Sequence, residues 1–248
     1  MKILLSGLCG HMGREVAKLT EAGYRDITLA AGVDAFAEGE TPVPCARTFA
    51  DAETNVDCIV DFSHHSLTHD LLDFAVANGL PVVLATTGQT AEEREAIEKA
   101  SQSVPIFFAA NYSLGVALLI ELAKNAARIM PDAEIEIVEK HHDRKLDAPS
   151  GTALAIAEAI KTVKPNAFTV CGRSGQGKRT KDEIGIHAIR MGNIVGEHEV
   201  IIGTDSQTLT LKHEAHSRAL FAEGALAAAD WVVRQGAGLY NMTDMIRF

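Results

Sequence analysis

The run Glu139-Lys140-His141-His142-Asp143-Arg144-Lys145-Leu146-Asp147-Ala148-Pro149-Ser150-Gly151-Thr152 gathers more reactive side chains than any other stretch of this sequence. Three permanent cations, Lys140, Arg144 and Lys145, stand with two imidazoles, His141 and His142, within six residues. Imidazole gives and takes protons near neutrality because its unperturbed pKa is about 6.5. Fixed positive charge beside it would stabilise an anion developing in a reaction. Pro149-Ser150-Gly151-Thr152 then opens a helix, with Ser150 placed to cap it. The N–H groups of a helix start, joined by the Thr152 hydroxyl, make a cradle for a carboxylate. Proton donors beside an anion site imply acid–base work on an acidic ligand. Two blander readings compete. A basic run is most often a solvated face. A zinc site fails on spacing, since adjacent histidines rarely converge on one ion and neither has an H-x-x-x-H partner, so no metal is expected. Glu197-His198-Glu199 and the segment His213 to His216 read as structural or surface polar groups, and nothing in its spacing gives Arg190 a ligand.

A second kind of chemistry begins at Gly7-Leu8-Cys9-Gly10-His11-Met12-Gly13, between a short apolar run and a helical pattern. Glycines so spaced permit a tight turn and let a pyrophosphate approach backbone N–H groups at a helix N-terminus, where the helix dipole adds positive charge. A plain glycine turn would look similar; the strand–turn–helix setting favours the dinucleotide. Asp34 ends the next strand about 20 residues beyond, where a carboxylate accepts hydrogen bonds from ribose hydroxyls and repels a 2′-phosphate. The residues after it are Ala35, Phe36 and Ala37, with no cation to welcome that phosphate, so NADH is expected to be preferred over NADPH. Thr86-Thr87-Gly88 and Ala109-Ala110-Asn111-Tyr112 follow two further strands. Ligands of open parallel sheets bind beyond the carboxyl ends of strands, and small residues there would let a nicotinamide approach backbone.

The elements that must hold these groups can be read from periodicity. Strands are expected at Ile3 to Ser6, Ile27 to Val33, Cys58 to Phe62, Pro81 to Ala85 and Ile106 to Ala109, with helices at Met12 to Ala22 and Ala91 to Ser101. This alternation implies crossover units and a parallel sheet covered on both faces. After Asn111 the rhythm changes. A helix from Gly115 to Met130 precedes the alternating strand Glu134 to Val138, and a helix from Gly151 to Val163 follows. Strands at Ile184 to Arg190, Glu199 to Gly203 and Thr208 to Lys212 lack helices between them, which favours a mixed sheet and a second domain. Residues 173–181 read as a mobile surface loop.

Composition limits the partners. Aromatics are 5% of 248 residues and the net charge is −10. Such a chain has little with which to stack on bases, and it repels nucleic acid and anionic membranes. The absence of a long apolar run excludes a helical membrane span. Cys9, Cys45, Cys58 and Cys171 lie far apart with no CxxC pair, and read as reduced thiols of a cytoplasmic protein.

The segment EKHHDRKLDAPSGTA resembles the signature of the 4-hydroxy-tetrahydrodipicolinate reductase (dihydrodipicolinate reductase) family. GLCGHMGRE, the TTG loop, AANYSLG and the closing GLYNMTDMI resemble its other blocks in the same order. The resemblance implies an NAD(P)H-dependent enzyme of the diaminopimelate and lysine pathway that reduces (2S,4S)-4-hydroxy-2,3,4,5-tetrahydrodipicolinate to tetrahydrodipicolinate, with loss of water. It implies His141 as proton donor or acceptor, Lys145 as proton donor, His142 on one substrate carboxylate, and Gly151 with Thr152 on the other. Gly7, Leu8, Cys9, Gly10, His11 and Met12 would line the cofactor, with Asp34, Ala85, Thr86, Thr87, Ala109, Ala110, Asn111 and Tyr112. The implied fold class is α/β. A Rossmann-type parallel-sheet nucleotide domain covers 1–113, with the C-terminal helix over 217–248 packing back onto it. A smaller α+β domain over 114–216, with a mixed open sheet, binds substrate and builds a homotetramer. Two other functions remain open at this point: another two-domain NAD-dependent dehydrogenase of a small dicarboxylate, which has no call for the HHDRKLDAPSGT run, and an NADH-sensing regulator, which needs no proton donors beside an anion cradle.

Overall fold

The computed structural model describes residues 1–246. In chain order, β1 (Lys2–Ser6) leads to α1 (His11–Glu21), β2 (Thr28–Val33), β3 (Cys45–Ala46), β4 (Cys58–Asp61), α2 (Thr68–Asn78), β5 (Val82–Leu84), α3 (Ala91–Ala100) and β6 (Pro105–Phe108). Then come α4 (Leu114–Ile129), β7 (Glu134–His141), α5 (Gly151–Lys161), β8 (Phe168–Cys171), β9 (Glu183–Arg190), β10 (Gly196–Thr204) and β11 (Gln207–Ala215). The chain closes with α6 (Ala219–Val232), β12 (Gly238–Tyr240) and α7 (Met242–Met245). It divides into one unit of Met1–Ser113 with the segment from Ala219 onward, and a second of Leu114–Arg218.

The first unit holds a seven-stranded sheet in the order β12-β6-β5-β4-β1-β2-β3, parallel throughout. Its strands are continuous apolar runs, as burial on both faces demands, and Leu4, Ile59, Val82, Leu84 and Ile106 join one core with Leu71, Leu72 and Ile97 of the helices. The order reverses between β1 and β4, the switch point at which such sheets bind ligands. Helix α6 packs across β4, β5 and β6. It comes close because it is built of small residues: a Cβ at Gly224 would run into the Tyr112 carbonyl.

The second unit is a five-stranded mixed sheet, β11-β10-β7-β9-β8, in which β7 and β9 run parallel while β10 runs antiparallel to β7 and β11. Ile135, Ile137, Ile184, Ile186, Val200 and Ile202 share one core with α4 and α5. The sequence reading stops β7 at Val138, but the strand runs on to His141. Its hydrophobic alternation is broken there by polar residues, while the register with β9 and β10 continues through Lys140. Helix α2 and strands β3, β8 and β12 are absent from that reading; the strands are two to four residues long, too short to show a period. The loop over 173–181 is exposed from Arg173 to Lys178. Its second half is not loose. Arg179 donates to Glu136 Oε1 at 3.0 Å and to the Ile135 carbonyl at 3.0 Å, and Lys181 pairs with Asp132.

Candidate active site

In the first unit, β1 ends at the glycine turn and the turn is shaped by contacts that no side chain could make. Gly7 has φ +82°, and a Cβ on it would lie 2.6 Å from the Phe62 carbonyl oxygen. A Cβ on Gly13 would press on the carbonyl oxygens of Gly7 and Leu8. The turn therefore brings α1 up against β1 with its first N–H groups lacking intrahelical acceptors. A cavity of about 310 Å³ opens beside it, lined by Gly7, Cys9, Gly10, Asp34, Phe36, Ser63 and His64 among others. Asp34 accepts from Cys9 N–H and from Phe36 N–H, both at 2.9 Å, so its carboxylate is fixed to the glycine loop with lone pairs to spare for hydroxyl donors. A buried carboxylate, an open helix start and a backbone-only cradle fit a dinucleotide.

The side chains of several expected cofactor residues are engaged elsewhere in the unit. Leu8 is buried with its side chain against Gly32. Tyr112 is buried, with its hydroxyl 2.8 Å from the Leu84 carbonyl and 3.1 Å from that of Phe107, and burial pushes its pKa well up. Thr86 donates to Asp61 Oδ2 at 2.5 Å, while Ser63 donates to Oδ1 at 2.5 Å. Asp61, at the end of β4, is missed by sequence reasoning; burial raises its pKa against the lowering by the Ser63 and Thr86 bonds. Ala85 and Ala109 are half-buried, and His11, Thr87 and Ala110 are exposed. Met12 is half-buried, as is Asn111, whose side chain accepts from Ser113 N–H at 2.8 Å.

In the second unit, three neighbouring strands exchange apolar for polar side chains at the same end of the same face. On β7, Ile135 and Ile137 give way to Glu139 and His141; on β9, Ile184 and Ile186 give way to Arg190; on β10, Val200 and Ile202 are preceded by His198. His141 lies opposite Arg190, and His198 opposite Glu139. Glu139 is fully buried. Its Oε2 lies 2.6 Å from His141 Nδ1 and 2.8 Å from Arg190 Nη1, while Oε1 accepts from Arg190 Nη2 at 2.7 Å and from Ser150 N–H at 3.0 Å. Burial alone would raise the Glu139 pKa, but the Arg190 and His141 bonds outweigh it and hold the carboxyl below its ordinary value.

Ser150 caps α5 by accepting from Ala153 N–H at 3.2 Å, and its hydroxyl lies 3.0 Å from His198 Nε2. The exposed Gly151 and half-buried Thr152 follow in the first turn. His142 Nδ1, Arg190 Nε and His198 Nδ1 are buried with no hydrogen-bond partner in the structure. Arg190 Nε and His198 Nδ1 belong to side chains bonded to Glu139 and Ser150, and unsatisfied polar atoms there are what a polar ligand would satisfy. Lys145 pairs with Asp147 at 2.8 Å. Asp147 is more than half exposed, so the pair is worth well under about 1 kcal/mol and is easily exchanged for a ligand. The other two cations do not join it. Lys140 projects from the opposite face of β7 to Glu197, and Arg144 binds Asp143 and Asn193 at the surface. Of the three cations in this run, Lys140 and Arg144 are thus turned to other partners.

Of the two alternatives in the sequence reading, surface or structural, His198 takes the structural one: it is buried against Ser150. Burial, with the nearby charge of His141, pushes its pKa down to about 4. An unfolded histidine takes up a proton near 6.5. His198 therefore supports folding fully above about pH 6.5 and loses that support as pH falls toward about 4, a total of about 3 kcal/mol. Urea unfolding at pH 7 and pH 4.5 should show this loss in the parent and a clearly smaller one in His198→Gln. Equal losses would mean that His198 titrates normally.

Comparisons with known proteins bear on the family of the chain. Residues 1–112 match the family model for the N-terminus of dihydrodipicolinate reductase, and residues 115–246 that for its C-terminus. The chain is 41% identical to the 4-hydroxy-tetrahydrodipicolinate reductase of Clostridium novyi (strain NT), over 99% of this chain and 98% of that one. It is 42% identical to the protein of the same name from Caldanaerobacter subterraneus subsp. tengcongensis, over 100% and 98%. A dipicolinate-bound dihydrodipicolinate reductase from Paenisporosarcina sp. TG-14 has the same fold, with a TM-score of 0.82 at 24% identity over 99% of both chains. Among the described residues, no helix is long and apolar enough to cross a membrane, and no group of three or more His, Cys, Asp or Glu is arranged to hold a metal ion.

Proposed function

This chain belongs to the dihydrodipicolinate reductase family, and from that premise we propose how its residues divide the work. The reaction is the NAD(P)H-dependent reduction of (2S,4S)-4-hydroxy-2,3,4,5-tetrahydrodipicolinate to tetrahydrodipicolinate in diaminopimelate and lysine biosynthesis. One proton is taken up and one water leaves for each nicotinamide oxidised. The bound nicotinamide supplies a hydride to the conjugated imine; the protein's task is to hold a doubly charged acid and quench the negative charge that results.

His141 is the proton donor. The observation that carries this is its bond to Glu139, which ties an imidazole to the start of α5 through a single carboxylate. Lys145 supplies fixed positive charge and acts as proton donor by relaying to His141 the one proton that the reaction consumes. His142 receives one substrate carboxylate, and Ser150, Gly151 and Thr152 hold the other at the helix start. Burial, with the charges of Arg144 and Arg218, lowers the pKa of His142, which suits it to hydrogen bonding rather than to carrying charge. Gly7, Leu8, Cys9, Gly10, His11 and Met12 cradle the pyrophosphate, Asp34 takes the ribose, and Ala85 to Thr87 with Ala109 to Tyr112 present backbone to the nicotinamide half.

Two further readings go with this proposal. The exposed apolar side chains Leu118, Leu122, Ile189, Met191 and Leu209 support a homotetramer built through 114–218. Four free cysteines suit the reducing cytoplasm. The test is loss of nicotinamide absorbance with substrate made in situ from pyruvate and aspartate semialdehyde. Turnover is expected with both cofactors, and kcat/KM is expected to be about tenfold or more higher with NADH. The ground is that a 2′-phosphate would sit against the Asp34 carboxylate, while Arg47, which reaches this turn, is turned to the Ala37 carbonyl at 3.5 Å. No turnover would end the functional reading, and equal or better efficiency with NADPH would end the preference.

A further inference from the structure

Glu139 enters the division of labour above only as a tie, yet it is a fully buried carboxylate held by four donor contacts. Its oxygens face two donors each, and all four acceptor positions of the carboxylate are taken. An ionised carboxylate cannot donate. The 2.6 Å contact therefore obliges His141 to carry its proton on Nδ1. Arg190 keeps the carboxylate ionised, because two N–H groups of an always-charged guanidinium point at it.

The other ring nitrogen has been left clear. Nε2 of His141 points toward Gly196, where an added methyl group would lie only 3.1 Å away. The His198 ring stands nearly perpendicular to it, with centroids 5.2 Å apart, and His198 in turn contacts Ser150 at the α5 cap.

We propose that Glu139 is the positioning residue of this enzyme: it fixes the Nδ1–H form of His141, so that Nε2 is the atom that exchanges the proton. This rests on the reading of His141 as proton donor. In the step itself the Nε2–H bond breaks with its electron pair left on nitrogen, and a bond to hydrogen forms on the anionic carbon of the reduced substrate. Nδ1–H stays with Glu139 throughout, and solvent later returns a proton to Nε2. The same carboxylate holds Ser150 N–H, so the proton donor and the carboxylate cradle are set at a fixed separation.

The charged and titratable groups around His141 include Glu139 on its own strand, His142 beside it, Arg190 on β9 and His198 on β10, with Lys145 acting on His198, so the pH profile must be read with each in place. Histidine-labelled ¹⁵N NMR of the whole enzyme, with His141 assigned by its absence in His141→Gln, should show Nδ1 protonated on both sides of the titration and only Nε2 changing. Glu139→Gln should lower turnover by about 10²-fold or more, since a lost tautomer-setting carboxylate costs that much or more elsewhere. It should also move the alkaline limb of the kcat profile, where the donor loses its proton, to lower pH. Neutral His141 carrying its proton on Nε2 in the parent enzyme would overturn the proposal, and that measurement stands even if Glu139→Gln does not fold. A folded Glu139→Gln with an unmoved profile and parental turnover would overturn it as well. Failure of the proton-donor reading looks different: His141→Gln would then keep its turnover whatever the tautomer.

Discussion

Replacing His141 by glutamine is expected to lower turnover by about 10²-fold or more while nucleotide affinity stays within about twofold. Glutamine is the informative choice because its amide N–H can keep the bond to Glu139, so the buried carboxylate is not left short of a donor. What it cannot do is release a proton. The loss should fall on kcat, since the interaction removed is made in the transition state rather than in the ground state. Lys145→Ala should show a comparable loss, with a larger share in KM because the ammonium also holds the substrate's charge. Steady-state kinetics with a separate NADH titration by fluorescence would separate these outcomes. Near-parental turnover in His141→Gln would remove that imidazole from the mechanism.

Gly13→Ala is expected to be severe for a reason that helix propensity gets wrong. Position 13 lies inside α1, where alanine is ordinarily better than glycine by about 1 kcal/mol. Here the added methyl meets the carbonyl oxygens of Gly7 and Leu8, which are backbone atoms of the turn itself and cannot swing aside. The turn must open, and α1 must retreat from β1. Affinity for NADH should fall by about tenfold or more, with a lower melting temperature. Both are measurable on the same preparation by fluorescence titration and thermal denaturation. A stabilised Gly13→Ala enzyme with parental affinity would show that the close approach is not needed.

Much of this was legible before any coordinates. The alternation of apolar runs with helical patterns up to Ala109 gave the parallel sheet, because strands buried on both faces must be apolar throughout. The glycine turn and Asp34 could be placed because their geometry follows from local sequence. The second unit's site was harder. His141, Lys145 and Ser150 are adjacent in sequence and stand out as a cluster, whereas Arg190 and His198 reach it only through strand pairing. A signal did exist: Arg190 and His198 continue the buried face of Ile184-Ile186 and of Val200-Ile202, and a charged or imidazole side chain in register with such a face calls for a partner. Glu139 sits within the cluster and was still passed over, since a carboxylate among cations reads as surface balance until its burial is known. Lys140 was misjudged in the opposite sense, because the strand was ended at Val138 and the alternation that sends 140 to the far face was lost.

The division of the chain has a bearing on biosynthesis. Residues 114–218 form an unbroken stretch, whereas the sheet that precedes them receives α6 and β12 only from residues that leave the ribosome afterwards. Until then, the apolar faces of β4, β5 and β6 that α6 will cover are open to water or to a chaperone. The inserted unit is thus free to mature first, and the nucleotide half is completed last, when the tail of the chain arrives to close it.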